Sequence, residues 1–554
     1  MAHYHDISIV DESAAALSRA AFSRVVSEGH DFSCGLFDSR GRMIVQSLGI
    51  PGFLGCLALA MRAFLREHPP ESLRPGDSLA TNDPWVGPSQ LHDITLITPI
   101  FYRGRIAAFA GNVSHSPDAG GRLLSGDCRE VFEEGIRIPI LKYFKRGKPN
   151  EELFKVIRMN VRVPDIVVGD IFAQQTANLV MKRRVVEFLR RAGLEDLDEL
   201  GGAMIARSER AVREGIRLIP DGLYSSTVET DGFDEPLVIK ACVRVEDEEV
   251  TVDFRGTSPQ NDRGINSCYN FTFAETVFPF LCITNSTVPV NEGSFRPFTV
   301  RVPEGTVLNA RPPAAIGART MVSGFIQAAI FRALSPVVAE RVLADSSAPT
   351  WVPTLSGLDQ DGRGYVEMLF LSGGLGARSN MDGLDVISFP NNLSPVPVEI
   401  LENEKPLLVL QKEFVPDSGG PGRYRGGCGQ RVVLKSKSPT TVTLALRMDR
   451  LHHPAKGLFG GGDGLPGRVS LNGERELHGK LTYYLNHGDT VEMQTPGGGG
   501  YGRPEEREPS LVLKDVREGL VSSEHAFSEY KVIIKQGEEE IDEEATRRLR
   551  EAPG

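Results

Sequence analysis

Two apolar periods divide this chain: spacings of three and four, which mark helices, and strict alternation, which marks half-buried strands. Ala14, Leu17, Ala21 and Val25 predict a helix over 11–28, with Asp11 as N-cap and Gly29 as stop. Residues 32–46 read as a hairpin around Asp38–Gly41, and 54–67 as a helix closed by Pro69-Pro70. From Asp93 to Phe101 polar and apolar residues alternate, Tyr102–Arg105 supplies a turn, and Ile106–Val113 returns. With Arg103-Gly104 at the turn centre, Asp93 falls opposite Ser114, give or take one position. Helices are predicted over 151–160, over a long stretch 168–215 broken at Gly193 and Gly201-Gly202, and over 319–334. Strands dominate 223–254 and the region beyond 400. The expected fold class is therefore multidomain α+β, with mixed helices and antiparallel sheets and a glycine-rich β C-terminal region. The expected domains are 1–220, α+β; 221–400, a central α/β region; and 401–554, glycine-rich β with a C-terminal tail, the first boundary falling near 217–223.

At 554 residues the chain is too long for one compact core. Its 62 basic and 73 acidic residues leave a net charge of −11, which argues against a nucleic-acid partner. Glu538–Glu544 reads as an acidic, solvated tail. The seven cysteines are scattered without a C-x-x-C pair, so reduced thiols are expected rather than disulfides or a zinc ribbon. No apolar run approaches the roughly 20 residues of a membrane span, and no signal-peptide h-region opens the chain, so a cytoplasmic protein is expected. Gly419–Gly422, Gly426–Gly429, Gly460–Gly462 and Gly497–Gly500 read first as tight turns needing positive φ, and second as anion cradles. No G-x-x-x-x-G-K-[ST] loop occurs, so the obvious phosphate-binding loop for ATP is missing.

Of the 11 histidines, His30, His92 and His115 each lie beside or near an aspartate, as His30-Asp31, His92-Asp93 and His115-Ser-Pro-Asp118. Opposed Cβ atoms on a hairpin lie roughly 5 Å apart, close enough for a carboxylate and an imidazole to share one metal ion. Mixed imidazole and carboxylate ligation suits Zn, Mn or Fe alike. Asp83, in the turn Asn82-Asp83-Pro84, reads as a turn residue or as one orienting a ligand. Glu133-Glu134 reads as a solvated face or a general acid/base, and Cys34 and Cys128 read as buried thiols.

Longer strings carry a resemblance. Thr81–Gly87, Leu91–Phe101, His115–Gly121, Phe132–Pro139, Asp31–Cys34, Asp253–Gln260, Pro303–Asn309, Gly374–Arg378, Gly419–Gly429 and Pro496–Gly502 together resemble the hydantoinase B/oxoprolinase family over nearly the whole chain. That family includes N-methylhydantoinase B subunits, the C-terminal half of ATP-dependent 5-oxoprolinase, caprolactamase, and α-type subunits of acetone and acetophenone carboxylases. The resemblance implies a B-type subunit of an ATP-dependent cyclic amide hydrolase, joined to a hydantoinase A-type subunit that binds ATP and Mg and phosphorylates the carbonyl. Two other roles stay open: the α-type subunit of an ATP-dependent ketone carboxylase, and a partner-binding subunit without catalysis. The family's metal motif, His-x-x-Asp then His, falls on Gln90, Asp93 and His115, with Asp31 as a further implied ligand. Gln90 departs from it; His92, two positions on and on the same strand face, or the Gln90 carbonyl completes the set, or the site holds no metal. The expected metal ligands are thus Asp31, His92, Asp93 and His115, and Asp118 the expected proton-transfer group.

Overall fold

The computed structural model describes residues 2–47, 49–53, 55–284, 288–535 and 540–551, and of residues 2–7 the backbone alone. Helices alternate with several sheets, an α+β architecture. The first sheet has seven strands: β1 (Phe32–Asp38), β2 (Met43–Gln46), β3 (Ser78–Thr81), β4 (Asp93–Tyr102), β5 (Arg105–His115), β6 (Leu141–Lys145) and β7 (Lys148–Pro149). Their order is β2-β1-β5-β4-β3-β6-β7, with neighbours antiparallel. Arg103 (φ 49°) and Gly104 (φ 83°) form the β4–β5 turn, the two left-handed residues that a tight hairpin requires. A bulge between Ile100 and Phe101 moves the register by one, so Asp93 lies opposite His115 rather than Ser114.

Both faces of this sheet are covered. Leu36, Ile44, Ala108 and Ala110 join an apolar cluster with Leu17 and with Ala177 and Met181 of the helix Pro164–Ala192. Phe37, Met43, Phe109 and Val113 cluster instead with Leu57 and Phe64 of the helix Cys56–Glu67 and with Phe271 of Tyr269–Thr284. Burial on both sides explains why β1 is buried at every position. The same apolar cluster continues through Val243, Val252, Phe325 and Val338, so the core runs on past the helix-to-strand switch at Arg217–Gly222. Beyond that switch a second sheet runs β11-β10-β9-β8, where β8 is Gly222–Thr230, β9 Leu237–Glu246, β10 Glu249–Asp253 and β11 Phe298–Arg301.

Several elements differ from the periodic reading. The first helix spans Ala2–Ala20, leaving Asp11 inside it, and only a single turn, Arg24–Ser27, follows. The break arises because Phe22 N and Ser23 N donate to Asp170 Oδ1 on the long helix (2.7 and 3.1 Å). Gly193 ends the long helix with φ 69°, as its place in the pattern requires. Gly201-Gly202, however, lies inside the helix Asp198–Ile216, because a Cβ on Gly201 would come within 3.0 Å of Ile44; close approach, not a break, is its use. The predicted helix 319–334 is two pieces, Thr320–Ser323 and Ile326–Leu334.

Past residue 350 two further sheets form, one from strands at 354–358, 364–368, 442–445 and 482–485, the other from 407–414, 430–436, 468–471, 475–476 and 490–494. Most of the clustered glycines are not turns with positive φ; of the four clusters only Gly460 (φ 90°) is. They pack backbone on backbone: a Cβ on Gly427 would sit 2.0 Å from Leu384 O, and one on Gly497 1.7 Å from Ser418 O. All seven cysteines are free. Among the described residues no helix is long and apolar enough to cross a membrane. Residues 538 and 539 of the acidic run lie outside the described residues; its end opens the helix Glu543–Glu551.

Candidate active site at the hairpin end

Three adjacent strands bring the site together. Central β5 lies between β1 and β4, so its last residue, His115, stands beside the residue before β1, Asp31, and the first residue of β4, Asp93. His115 N donates to Asp31 O (2.9 Å) and Ser116 N to His92 O (2.6 Å), which ties the three ends to one another. Asn82 holds the approach to β4: its Nδ2 donates to Leu91 O (2.8 Å) and Ile136 O (2.9 Å), and its Oδ1 accepts from Ile138 N (2.7 Å).

The Asp93 carboxylate uses both oxygens. Oδ1 is 2.7 Å from His115 Nδ1, and Oδ2 accepts from Arg319 Nη1 at 2.7 Å. The Arg319 guanidinium lies 4.0 Å from the centroid of the Phe271 ring, and the three polar side chains are 0 to 5 % exposed. His92 stacks on His115, with centroids 5.5 Å apart and planes 15° from parallel. Gln90 is turned elsewhere: its Nε2 donates to Gly317 O, which also accepts from Arg447 Nη1 (3.2 Å). Glu134 fixes the same residue through its N–H, since Oε1 accepts from Ile316 N (2.7 Å) and Gly317 N (2.6 Å). Glu134 Oε2 and the Nε of both Arg319 and Arg447 are buried without a partner.

Burial and charge set the protonation states. Burial opposes the Asp93 carboxylate, but Arg319 and His115 outweigh it and hold its pKa below the ordinary value. Burial raises that of Asp31, with His115 pulling the other way. Burial and then the neighbouring His115 keep His92 well below the ordinary imidazole range, so His92 is neutral. Burial pulls Arg447 down to about 9, helped by Arg319, and pushes Glu134 up to about 8 against its two N–H donors.

Asp31, His92, Asp93 and His115 therefore meet, but their donors do not converge: among the described residues no group of three or more His, Cys, Asp and Glu is placed to hold a metal ion. Asp118 is occupied elsewhere. Its carboxylate accepts from Gly120 N (3.1 Å), Arg162 N and Arg162 Nη1 (2.8 Å), and no hydrogen bond among the described residues joins it to Asp93 or His115. Asp83 accepts from Trp85 N (3.0 Å) and Arg137 Nη2 (2.7 Å), closing its own turn. Cys34 is fully buried and its thiol is pushed up to about 12 by burial; Cys128 is likewise raised, so neither is a thiolate. Arg319 and Arg447 are the groups at this site that the sequence did not single out, whereas Glu134 belongs to the Glu133-Glu134 pair read as a solvated face or a general acid/base.

Comparison with known proteins agrees with this architecture. The hydantoinase B/oxoprolinase family model matches residues 5–504. An uncharacterised protein of Methanocaldococcus jannaschii is 34% identical over 98% of this chain and 97% of its own length. A putative D-/L-hydantoinase B-type chain of a Pseudomonas species is 30% identical over 96% of this chain and 94% of its own length. The crystal structure of the ATP-dependent caprolactamase from Pseudomonas jessenii superposes with a TM-score of 0.92 at 28% identity, over 98% of this chain and 97% of that one. Matched by the family model over most of its length, and by a relative 34% identical from end to end, this chain belongs to the hydantoinase B/oxoprolinase family.

Proposed function

We propose that the chain is the B-type subunit of an ATP-dependent cyclic amide hydrolase, acting on a carbonyl that a hydantoinase A-type partner has phosphorylated. The observation that supports it most is the buried Asp93–His115 pair at the hairpin end, backed by Arg319. With its Nδ1 hydrogen donated to Asp93, His115 presents Nε2 as an acceptor, able to take a proton from a water attacking the activated carbon. Arg319 holds the second Asp93 oxygen and keeps the carboxylate ionised, which stabilises the imidazolium formed as that proton arrives. The free Nε–H groups of Arg319 and Arg447 are donors for the oxygen on which negative charge develops. Because Asp93 and His115 are 0 % and 4 % exposed, this role requires the site to open in the assembly. ATP and Mg would be held by the partner.

The divalent metal that the family motif implies, Zn, Mn or Fe, does not fit the donors as they stand. One Asp93 oxygen faces His115 Nδ1, the other faces a guanidinium, and Gln90 turns its amide to Gly317. No step here depends on a metal. The test is co-expression with the A-type partner and assay of ATP-dependent ring opening on lactams and hydantoins, with ketone plus bicarbonate as the contrasting pair. Ring opening lost in Asp93→Asn and His115→Ala is expected. Carboxylation without ring opening would make the chain part of a carboxylase, and no stable complex with the partner would overturn the reading.

A further inference from the structure

We infer that Arg319 is the resident cation of this site and stands where the family motif calls for a metal ion, so that the chain works metal-free. This depends on the placement of the site at the hairpin end, and not on which substrate is opened there.

Four observations converge. The residue at the motif's first position, Gln90, has an amide that donates to Gly317 O, so it faces the 317–319 segment. That segment delivers Arg319, whose Nη1 meets Asp93 Oδ2 at 2.7 Å, the oxygen left over once His115 has taken Oδ1. The Phe271 ring, 4.0 Å from the guanidinium, holds the cation in place. A second buried guanidinium, Arg447, donates to the same Gly317 carbonyl as Gln90. A dication would have to displace one guanidinium from Asp93 and then sit beside another inside a dry core, where like charges repel most strongly. The Gln90 and Arg319 placements are complementary: one removes an imidazole ligand, the other supplies a fixed positive charge to the carboxylate that ligand would have served. An arginine is suited to this because it stays charged when buried and offers several N–H donors in a plane.

The experiment measures metal on the full-length chain purified from medium supplemented with Zn and Mn, by elemental analysis and by Zn titration. The expected result is a substoichiometric metal content in wild type that Asp93→Asn does not change, and the same for Arg319→Lys, which keeps a cation there. Combining Gln90→His with Arg319→Ala should create a site for close to one Zn per chain. Should that double variant fail to fold, Gln90→His combined with Arg319→Gln carries the same comparison. About one equivalent of tightly held metal in wild type that Asp93→Asn loses would overturn the inference. So would a folded variant lacking the arginine that gains no metal. Neither result depends on turnover, so loss of the hydrolase reading and loss of this one remain distinguishable.

Discussion

Replacing Glu134 with glutamine gives a test whose sign follows from burial. The side chain is sealed in, with one oxygen bonded to two peptide N–H groups and the other without a partner. Its pKa stands at about 8 against an ordinary 4.5. A carboxyl whose folded pKa lies above its unfolded one contributes stability that is whole below the unfolded value and drains away as pH rises through the folded one. At roughly 1.4 kcal/mol per pH unit across that gap, the wild type gives up about 5 kcal/mol from this residue alone, and about 3 of it between pH 6 and pH 9. Glutamine keeps a carbonyl oxygen for Ile316 N and Gly317 N and does not ionise, so its stability should be flat in this respect. Thermal melts of both proteins at one fixed scan rate should show the Glu134→Gln advantage widening by about 2–3 °C from pH 6 to pH 9. Glu134→Ala should instead lie about 2–5 kcal/mol below wild type at pH 6, because two buried N–H groups are stranded, with the deficit shrinking towards pH 9 as the wild type loses stability. Parallel melting curves for wild type and Glu134→Gln across this range would refute the assignment of a buried, protonated carboxyl beside Gly317.

Other consequences are open to measurement. His115→Ala and Asp93→Asn should each cut ATP-coupled turnover in the assembled enzyme by about 100-fold or more while leaving the circular dichroism spectrum intact. The isolated chain should show no ATP hydrolysis, measured as phosphate release, because no phosphate-cradling loop is present in its sequence. Gly427→Ala should leave the protein insoluble or lower its melting point by far more than an ordinary surface change, since the added carbon would meet Leu384 O at 2.0 Å.

Local pattern carried far at the hairpin and less far elsewhere. The alternation over 93–113 and the Arg103-Gly104 turn located both strands, and the bulge at Ile100 alone shifted the pairing from Ser114 to His115. A bulge depends on tertiary crowding and leaves no mark in the alternation. The helix Tyr269–Thr284 escaped because it is apolar almost all round, so it lacks the stripe that identifies a surface helix. Gly201 was misread because a glycine required for close packing looks the same in sequence as one that ends a helix. Arg319 and Arg447 reach Asp93 and Gly317 from more than a hundred residues away, and nothing next to them announces it. Glu134 stood in a pair of glutamates whose inner and outer members only the fold separates.

The interleaved glycine backbones have a consequence for how the protein is made. Gly498 N donates to Gly427 O, Gly427 N to Leu375 O, Gly499 N to Asp345 O and Gly500 N to Gly462 O, so residues 497–500 form the middle of a stack whose layers come from four earlier stretches. No side chain there can adjust to a missing layer, and an unpaired peptide buried in its place is expensive. On the ribosome, the region from 345 onward therefore cannot close until residue 500 has left the exit tunnel. Until then those earlier stretches wait with exposed backbone, and that is the interval in which a chaperone is most needed.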